Sequence, residues 1–312
     1  FKTEIHANEI VLLAYYIACI NIEAVYDDLV KENQYQSFDG MVLTDTFQLY
    51  EQDRDMIADL LPDNSERRTK QKHQDITVII GNPPYSVGQN SANDNAANIG
   101  YPNLDAKIES TYVTQSTAGL KNSLYDNYIR AFRWASDRVS SNGVIAFVTN
   151  GGWVDGNATD GFRKCLSDEF SKIYVFNLRG NARTSGELRR KEKGNVFGEG
   201  TRTPIVITIL VKNKNSSEQG KIYFHDIGAY LDQKQKLSII QNFRSIKQMK
   251  LSGEFYELEP DDENDWINQG DKSFYNYTSL NYDPKKSEKG FFYESTSGSK
   301  SNRDAWIFNF SK

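Results

Sequence analysis

Asn82-Pro83-Pro84-Tyr85, directly after the apolar run Ile76-Thr77-Val78-Ile79-Ile80, carries the residue types and order needed to act on a planar amino group. An amino group conjugated to a base or an amide is a poor nucleophile. Alkylating it calls for acceptors on both N–H bonds and a surface that holds the plane. The Asn82 side-chain oxygen can accept one hydrogen bond and the Pro83 carbonyl the other. Consecutive prolines fix φ at about −65° and push the preceding residues toward extended backbone, so these carbonyls are set before substrate arrives. Tyr85 adds an aromatic face on which a base stacks, worth roughly 1–3 kcal/mol. The plain alternative is a Pro-Pro turn at a strand end.

Elements must hold these four residues, and strand and helix patterns alternate along the chain. Residues 4–10 read as a strand and 11–33 as a helix in which Leu13, Ile17, Ile20 and Ala24 share one face, expected in the core. A strand at 40–44, a helix near 49–60 and a strand at 76–81 follow. An Asn/Ser/Gly-rich loop is expected from about 86 to 121, a length that is usually functional or disordered. Then come a helix at 122–140, a strand at 143–149, a helix at 159–170 and strands at 172–178 and 203–212. This alternation implies an α/β fold whose mostly parallel sheet has helices on both faces. Strand 203–212 arrives straight from a loop and suits an antiparallel edge. From 221 aromatics recur among acids, so we divide the chain into a core at 1–220 and a peripheral segment at 221–312. That segment is either a small added unit or a linker packed on a neighbouring domain.

With 312 residues and 38% hydrophobic content, the chain can bury one large core plus a smaller unit. Cys19 and Cys165 are too few for a disulfide framework, and His6, His73 and His225 lie far apart, so no structural metal is expected. No apolar run approaches a membrane span and no signal peptide is visible, which makes the cytoplasm the expected location. The net charge of −5 hides local basic stretches. Arg67-Arg68-Thr69-Lys70-Gln71-Lys72-His73 reads as a solvated link between helix and strand. Arg179, Arg183, Arg189 and Arg190 fall between two predicted strands at the edge carrying Asn82, and either meet phosphates or sit in a solvated loop.

In this setting the tetrapeptide resembles the S-adenosylmethionine-dependent amino-group methyltransferases, in particular the DNA adenine-N6 enzymes. Glu4-Ile5-His6-Ala7-Asn8-Glu9-Ile10 resembles their second strand, which implies that Glu9, with Ile10 beside it, binds the ribose hydroxyls of the cofactor; Glu4 is the second choice. Met41-Val42-Leu43-Thr44-Asp45-Thr46-Phe47 resembles the third strand, which implies that Asp45, next to Thr46, accepts from the cofactor's adenine amine. Gly143-Val144-Ile145-Ala146-Phe147-Val148-Thr149-Asn150, followed by Gly151-Gly152-Trp153, resembles the fifth. The stretches His6 to Leu13, Asn122 to Ala135 and Asn177 to Asn181 resemble the methyltransferase portion of Type ISP restriction-modification proteins.

The resemblance runs over most of residues 1 to about 230. It implies a Rossmann-like methyltransferase fold, S-adenosylmethionine as cofactor and double-stranded DNA as partner. It further implies helicase and nuclease domains in the same polypeptide, N6 methylation of a flipped adenine, and a segment from 221 that begins a target-recognition domain. One part of the pattern is missing. A Gly-rich turn of the type Phe-x-Gly-x-Gly is expected on a first strand. The similar Val196-Phe197-Gly198-Glu199-Gly200 does not qualify, because it leads into the β-rich run from Thr203 to Val211 and not into a helix. The chain is therefore expected to be a fragment lacking that strand. The same tetrapeptide chemistry also suits a protein-glutamine or ribosomal RNA amino methyltransferase, and an inactive DNA-binding fragment is the alternative from another class.

Overall fold

The computed structural model describes residues 1–31, 35–51, 60–85, 100–198 and 200–271, and beyond them only 273, 276–281 and 290–292. β1 (Ala7–Glu9) leads into α1 (Leu12–Val30), β2 (Met41–Leu43), α2 (Pro62–His73) and β3 (Ile76–Gly81). Next come α3 (Pro102–Ile108), α4 (Asn127–Arg138), β4 (Val139–Asn150), α5 (Asp160–Glu169), β5 (Lys172–Asn177) and α6 (Gly186–Lys191). β6 (Ile205–Asn213), β7 (Lys221–Asp226), α7 (Gln233–Asn242), α8 (Ile246–Leu251) and β8 (Tyr256–Leu258) follow. All belong to one compact unit, Phe1–Asn268; in the second unit, Gln269–Lys312, β9 (Ser279–Asn281) and β10 (Gly290–Phe292) pair in parallel.

The main sheet has the order β3-β4-β6-β5-β7-β8, and β1 and β2 form a separate parallel pair. β3 runs parallel to β4 and β5 parallel to β7, while β8 is an antiparallel edge strand. The expected mixed α/β architecture is present. Strand 205–213 is antiparallel, as expected, but lies inside the sheet between β4 and β5. Its Ile205, Val206 and Leu210 are buried, as in a strand covered on both faces.

The two-residue period of the strands sorts the core into two layers. Ile173, Val175, Ile222 and Phe224 face Phe132 of α4 and Phe162 of α5, while Tyr174, Phe176 and Tyr223 face Met249 of α8. The division expected at 220/221 falls instead at 268/269. β7 and β8 extend the same sheet, and buried Trp266 packs edge-on against Trp153 at 5.5 Å.

Three local expectations also change. Residues 86–99 of the expected loop lie outside the described residues, but 102–113 is helical, with α3 running into a π-helical turn at Glu109–Val113. Pro102 starts it, and Leu104, Ile108 and Tyr112, four apart, are fully buried. Gly161 lets α5 approach this turn, since a Cβ there would meet the Tyr112 carbonyl oxygen at 2.2 Å. The basic run 67–73 is no link but the second half of α2, where Lys70, Lys72 and His73 in the last turn complement the helix dipole. Of the helix expected near 49–60, residues 52–59 lie outside the described residues, and Phe47–Leu49 forms a 3-10 turn.

The α1 face expected in the core is exposed: Leu13 at 71% and Ile20 at 63%, with Ile17 between them also open. The helix carries a second apolar stripe of Tyr15, Cys19, Ile22 and Tyr26, which is half-buried. A helix that is apolar on two sides needs cover on both. β3 is an edge strand of the main sheet, with Val78 and Ile80 exposed.

Candidate functional site

Asn82 leaves the carboxyl end of β3 with its side chain exposed, and Tyr85 turns back to be half-buried. The Tyr85 hydroxyl donates to Asn82 Oδ1 at 2.9 Å and lies 3.3 Å from the Val148 carbonyl oxygen on β4. Burial pushes the Tyr85 hydroxyl up to about 12, so at neutral pH it remains a donor. Asn82 Oδ1 is thereby oriented and keeps a second lone pair for an incoming N–H.

The first turn of α4 ties this corner to Asp45, just after β2. α4 ends where β4 begins, so it runs back across the sheet and its first turn lies at the strands' carboxyl edge. Asp126 caps it, accepting from Tyr128 N. The Tyr128 ring sits edge-on to Tyr85 with centroids 6.4 Å apart. One turn on, Arg130 lies over the Tyr101 ring at 5.4 Å and grips both oxygens of Asp105 at 2.7 and 2.9 Å. The Tyr101 hydroxyl donates to Asp45 Oδ2 at 2.8 Å, and Asp45 Oδ1 accepts from Phe47 N at 2.9 Å. Burial, and then the bond to Asp45, raise the Tyr101 hydroxyl well above its ordinary value. Glu51, buried, fixes the same corner by accepting from Asn103 N and Leu104 N at the head of α3.

Glu9 ends β1. Its Oε1 accepts from Ile10 N and Val11 N, both at 2.8 Å, in the turn that leads into α1. Oε2 has no donor among the described residues. Asn8 Nδ2 donates to Thr46 Oγ1 at 3.4 Å and Thr44 N to Glu9 O at 2.9 Å, which sets Glu9 and Asp45 side by side. Ile10 is exposed next to them, while Glu4 lies exposed before β1. An open carboxylate oxygen suits a vicinal diol, and an acceptor at Asp45 suits an amine. These residues fit the ribose and adenine parts of S-adenosylmethionine. Asn82, Tyr85, Asp45, Thr46 and Glu9 are thus brought to linked positions. Tyr101, Tyr128, Arg130 and Glu51 were missed; the Asp126 cap and the Leu104-Ile108-Tyr112 spacing were the signals available.

The basic residues divide. Arg179, at a left-handed φ of 55°, donates to Asp226 Oδ1 at 2.8 Å and to Glu192 Oε1 at 3.3 Å. Its charge is paired within the fold. Arg183, Arg189 and Arg190 are exposed, the last two on α6, with Arg190 3.4 Å from Glu187. Fully buried Lys236 closes the loop that carries them, donating to Leu178 O at 2.8 Å and Gly194 O at 2.6 Å. Burial pulls this amine down to about 8. Its polar surroundings, Gln233-Lys234-Gln235, gave no sign of burial.

Arg163 anchors the segment after β4 from below. It donates to the carbonyls of Trp153, Gly156 and Asn264 and pairs with Asp265. Burial pushes the Cys165 thiol up to about 11, far from a thiolate nucleophile. An open polar concavity between Ser141, Glu169, Lys212 and Gln219 lies at the opposite edge of the sheet. Among the described residues there is no cluster of three His, Cys, Asp or Glu able to hold a metal, and no helix long and apolar enough to cross a membrane.

The family described as Eco57I restriction-modification methylase matches residues 4–182. The chain is similar to a nuclease-deletion mutant of the Type ISP restriction-modification enzyme LlaGI in complex with a DNA substrate mimic. Identity is 46% and the TM-score 0.85, over 91% of this chain and 23% of that one. It is similar to the ATP-dependent Type ISP enzyme LlaBIII bound to DNA at 44% identity and a TM-score of 0.90, over 98% and 20% of the two chains. The DrdV–DNA complex matches at 35% identity and a TM-score of 0.80, over 91% and 27%. The chain spans between 20% and 27% of the length of these proteins. No curated protein sequence matches it.

Proposed function

Because the chain belongs to the Eco57I restriction-modification methylase family, we propose that it methylates the N6 amino group of adenine in double-stranded DNA. It does so as the methylating part of a longer restriction-modification polypeptide with helicase and nuclease parts, working in the cytoplasm. The observation that carries this reading is the first turn of α4, which meets the amine-binding corner through Tyr128 and, through Arg130 over the Tyr101 ring, the residue that holds Asp45.

The target adenine leaves the duplex, since its amino group is out of reach while stacked, and this unstacking costs a few kcal/mol. Tyr85 stacks on it. Asn82 Oδ1 and the Pro83 carbonyl accept its two N–H bonds, which favours the pyramidal nitrogen whose lone pair is free. Glu9 holds the ribose hydroxyls of the cofactor and Asp45 its adenine amine, with Ile10 and Thr46 beside them. When bound, S-adenosylmethionine supplies a methyl group on a sulfonium, an electrophile for that nitrogen. The surplus amine proton passes to water, because an amide oxygen is no base. Neither cysteine acts, consistent with the raised Cys165 thiol.

The open edge of β3 and the exposed stripe of α1 suit a further strand between β1 and β3, supplied by the longer polypeptide, which completes the cofactor's methionine end. To test the function, the intact polypeptide is incubated with methyl-labelled cofactor and genomic DNA, and the nucleosides are separated. Label in N6-methyladenine is expected; label in N4-methylcytosine, in RNA or in a protein glutamine overturns the reading.

A further inference from the structure

The loop between β5 and β6 returns to the sheet at the edge that carries Asn82, where Gly151 N, directly after β4, donates to Pro204 O at 2.8 Å. Within this loop the turn at 195–198 is pinned from three sides. Asn195 Nδ2 donates to Thr203 O at 2.9 Å, and its Oδ1 accepts from Phe197 N at 3.0 Å. Gln233 Nε2 donates to Val196 O at 2.9 Å. Buried Lys236 holds Gly194 O, at a position with φ 68° where a Cβ would meet the Asp232 backbone at 2.8 Å. Val196 and Tyr85 pack against the same apolar cluster. Phe197, between these fixed neighbours, is nevertheless 49% exposed. A single exposed apolar residue is ordinary. One held outward by a framework of polar contacts, on a loop that also presents Arg183, Arg189 and Arg190, has the form of a contact prepared for a polyanion with apolar faces.

We propose that Phe197 is a wedge that enters the base stack of bound duplex DNA and fills the gap left when the target base turns out toward Tyr85. The inference rests on the adenine-methylating function above. The exposed arginines meet phosphates beside the ring, while the ring covers base faces that lose their neighbour; apolar side chains inserted between base steps act in this way. Phe197 touches neither the reacting amine nor the cofactor, so it is a positioning residue whose effect is confined to opening the stack.

The methylated site is first mapped on genomic DNA treated with the intact wild-type polypeptide. Two duplexes carrying that site are then compared, one with the target adenine opposite thymine and one with it opposite an abasic position, where little pairing has to be broken. Phe197→Ala is expected to methylate the paired duplex about ten-fold more slowly than wild type and the abasic duplex at the wild-type rate, with Phe197→Trp retaining the paired rate. Wild-type rates for Phe197→Ala on the paired duplex, or equal slowing on both duplexes, overturn the wedge. Failure of the wild-type protein itself to methylate DNA removes the underlying function, and the wedge with it.

Discussion

Around β4, β5 and β7 apolar side chains are covered from both faces, whereas α1 carries a comparable set and buries none of its residues. The two regions also hold their functional groups differently. Asn82 and Tyr85 rest on a closed core through Val148 and Tyr128. Glu9 and Asp45 are fixed instead by polar ties to Ile10, Val11, Phe47 and Tyr101. An apolar stripe therefore reports that a helix will be covered, and not which segment covers it. The proposed amine corner rests on covered strands, while the proposed cofactor corner is held by polar ties beside the exposed face of α1.

Truncating a leucine on each side of this divide gives the largest contrast. Leu124→Ala, at a fully buried position, is expected to lower stability by about 2–5 kcal/mol, read from urea unfolding. A cost under about 1 kcal/mol would mean the closed half is not packed as described.

The same contrast explains what was legible in the sequence. Strands 76–81, 143–149, 172–178 and 203–212 stood out because long β-branched runs bounded by turns have few other readings, and each end lies within four residues of its observed position. The interior place of β6 was hidden, because strand order depends on contacts between distant residues and not on local pattern. α3 was hidden by the Asn/Ser/Gly-rich stretch before it, although Leu104, Ile108 and Tyr112 kept helical spacing. Asn82 to Tyr85 were recognisable because few structural needs call for that order of residues. Tyr101 and Lys236 were not, since their roles come from partners 56 and 58 residues away. The α1 face was read with the right period and the wrong cover.

Tyr85 sharpens the comparison at the amine corner. Tyr85→Ala removes the stacking face and is expected to slow methylation by about 5- to 150-fold, as roughly 1–3 kcal/mol of stacking implies. Tyr85→Phe keeps the ring and loses only the hydroxyl that orients Asn82, so a loss below about ten-fold is expected. Equal rates for the two variants would show that the hydroxyl, and not the ring, matters.

Lys236 offers a pH handle on the loop beside that corner. Its amine sits at about 8 in the fold against 10.5 when exposed, so between those values the unfolded chain holds the extra proton. Stability contributed by this group is expected to rise from pH 8 to pH 10.5. Unfolding midpoints of wild type and Lys236→Met at pH 7 and 9.5 check the sign; a difference that does not move with pH contradicts it. The smallest effect is expected on the open side, where Leu13→Ala should change the stability of this chain by less than about 0.5 kcal/mol. The same substitution in the longer polypeptide should cost more if a further strand covers α1, and an unchanged value there would remove that strand from the proposal.

The most direct measurement is single-turnover methylation by the intact polypeptide carrying Asn82→Ala, with calorimetric binding of S-adenosylmethionine to the same protein. A preorganised polar group aimed at the reacting atoms is worth about 10²–10³ in rate, so a loss of that size with cofactor affinity within about three-fold of wild type is the predicted result. Methylation at the wild-type rate, or a fall in rate matched by the fall in cofactor affinity, would contradict the assignment of the amine-binding corner to Asn82.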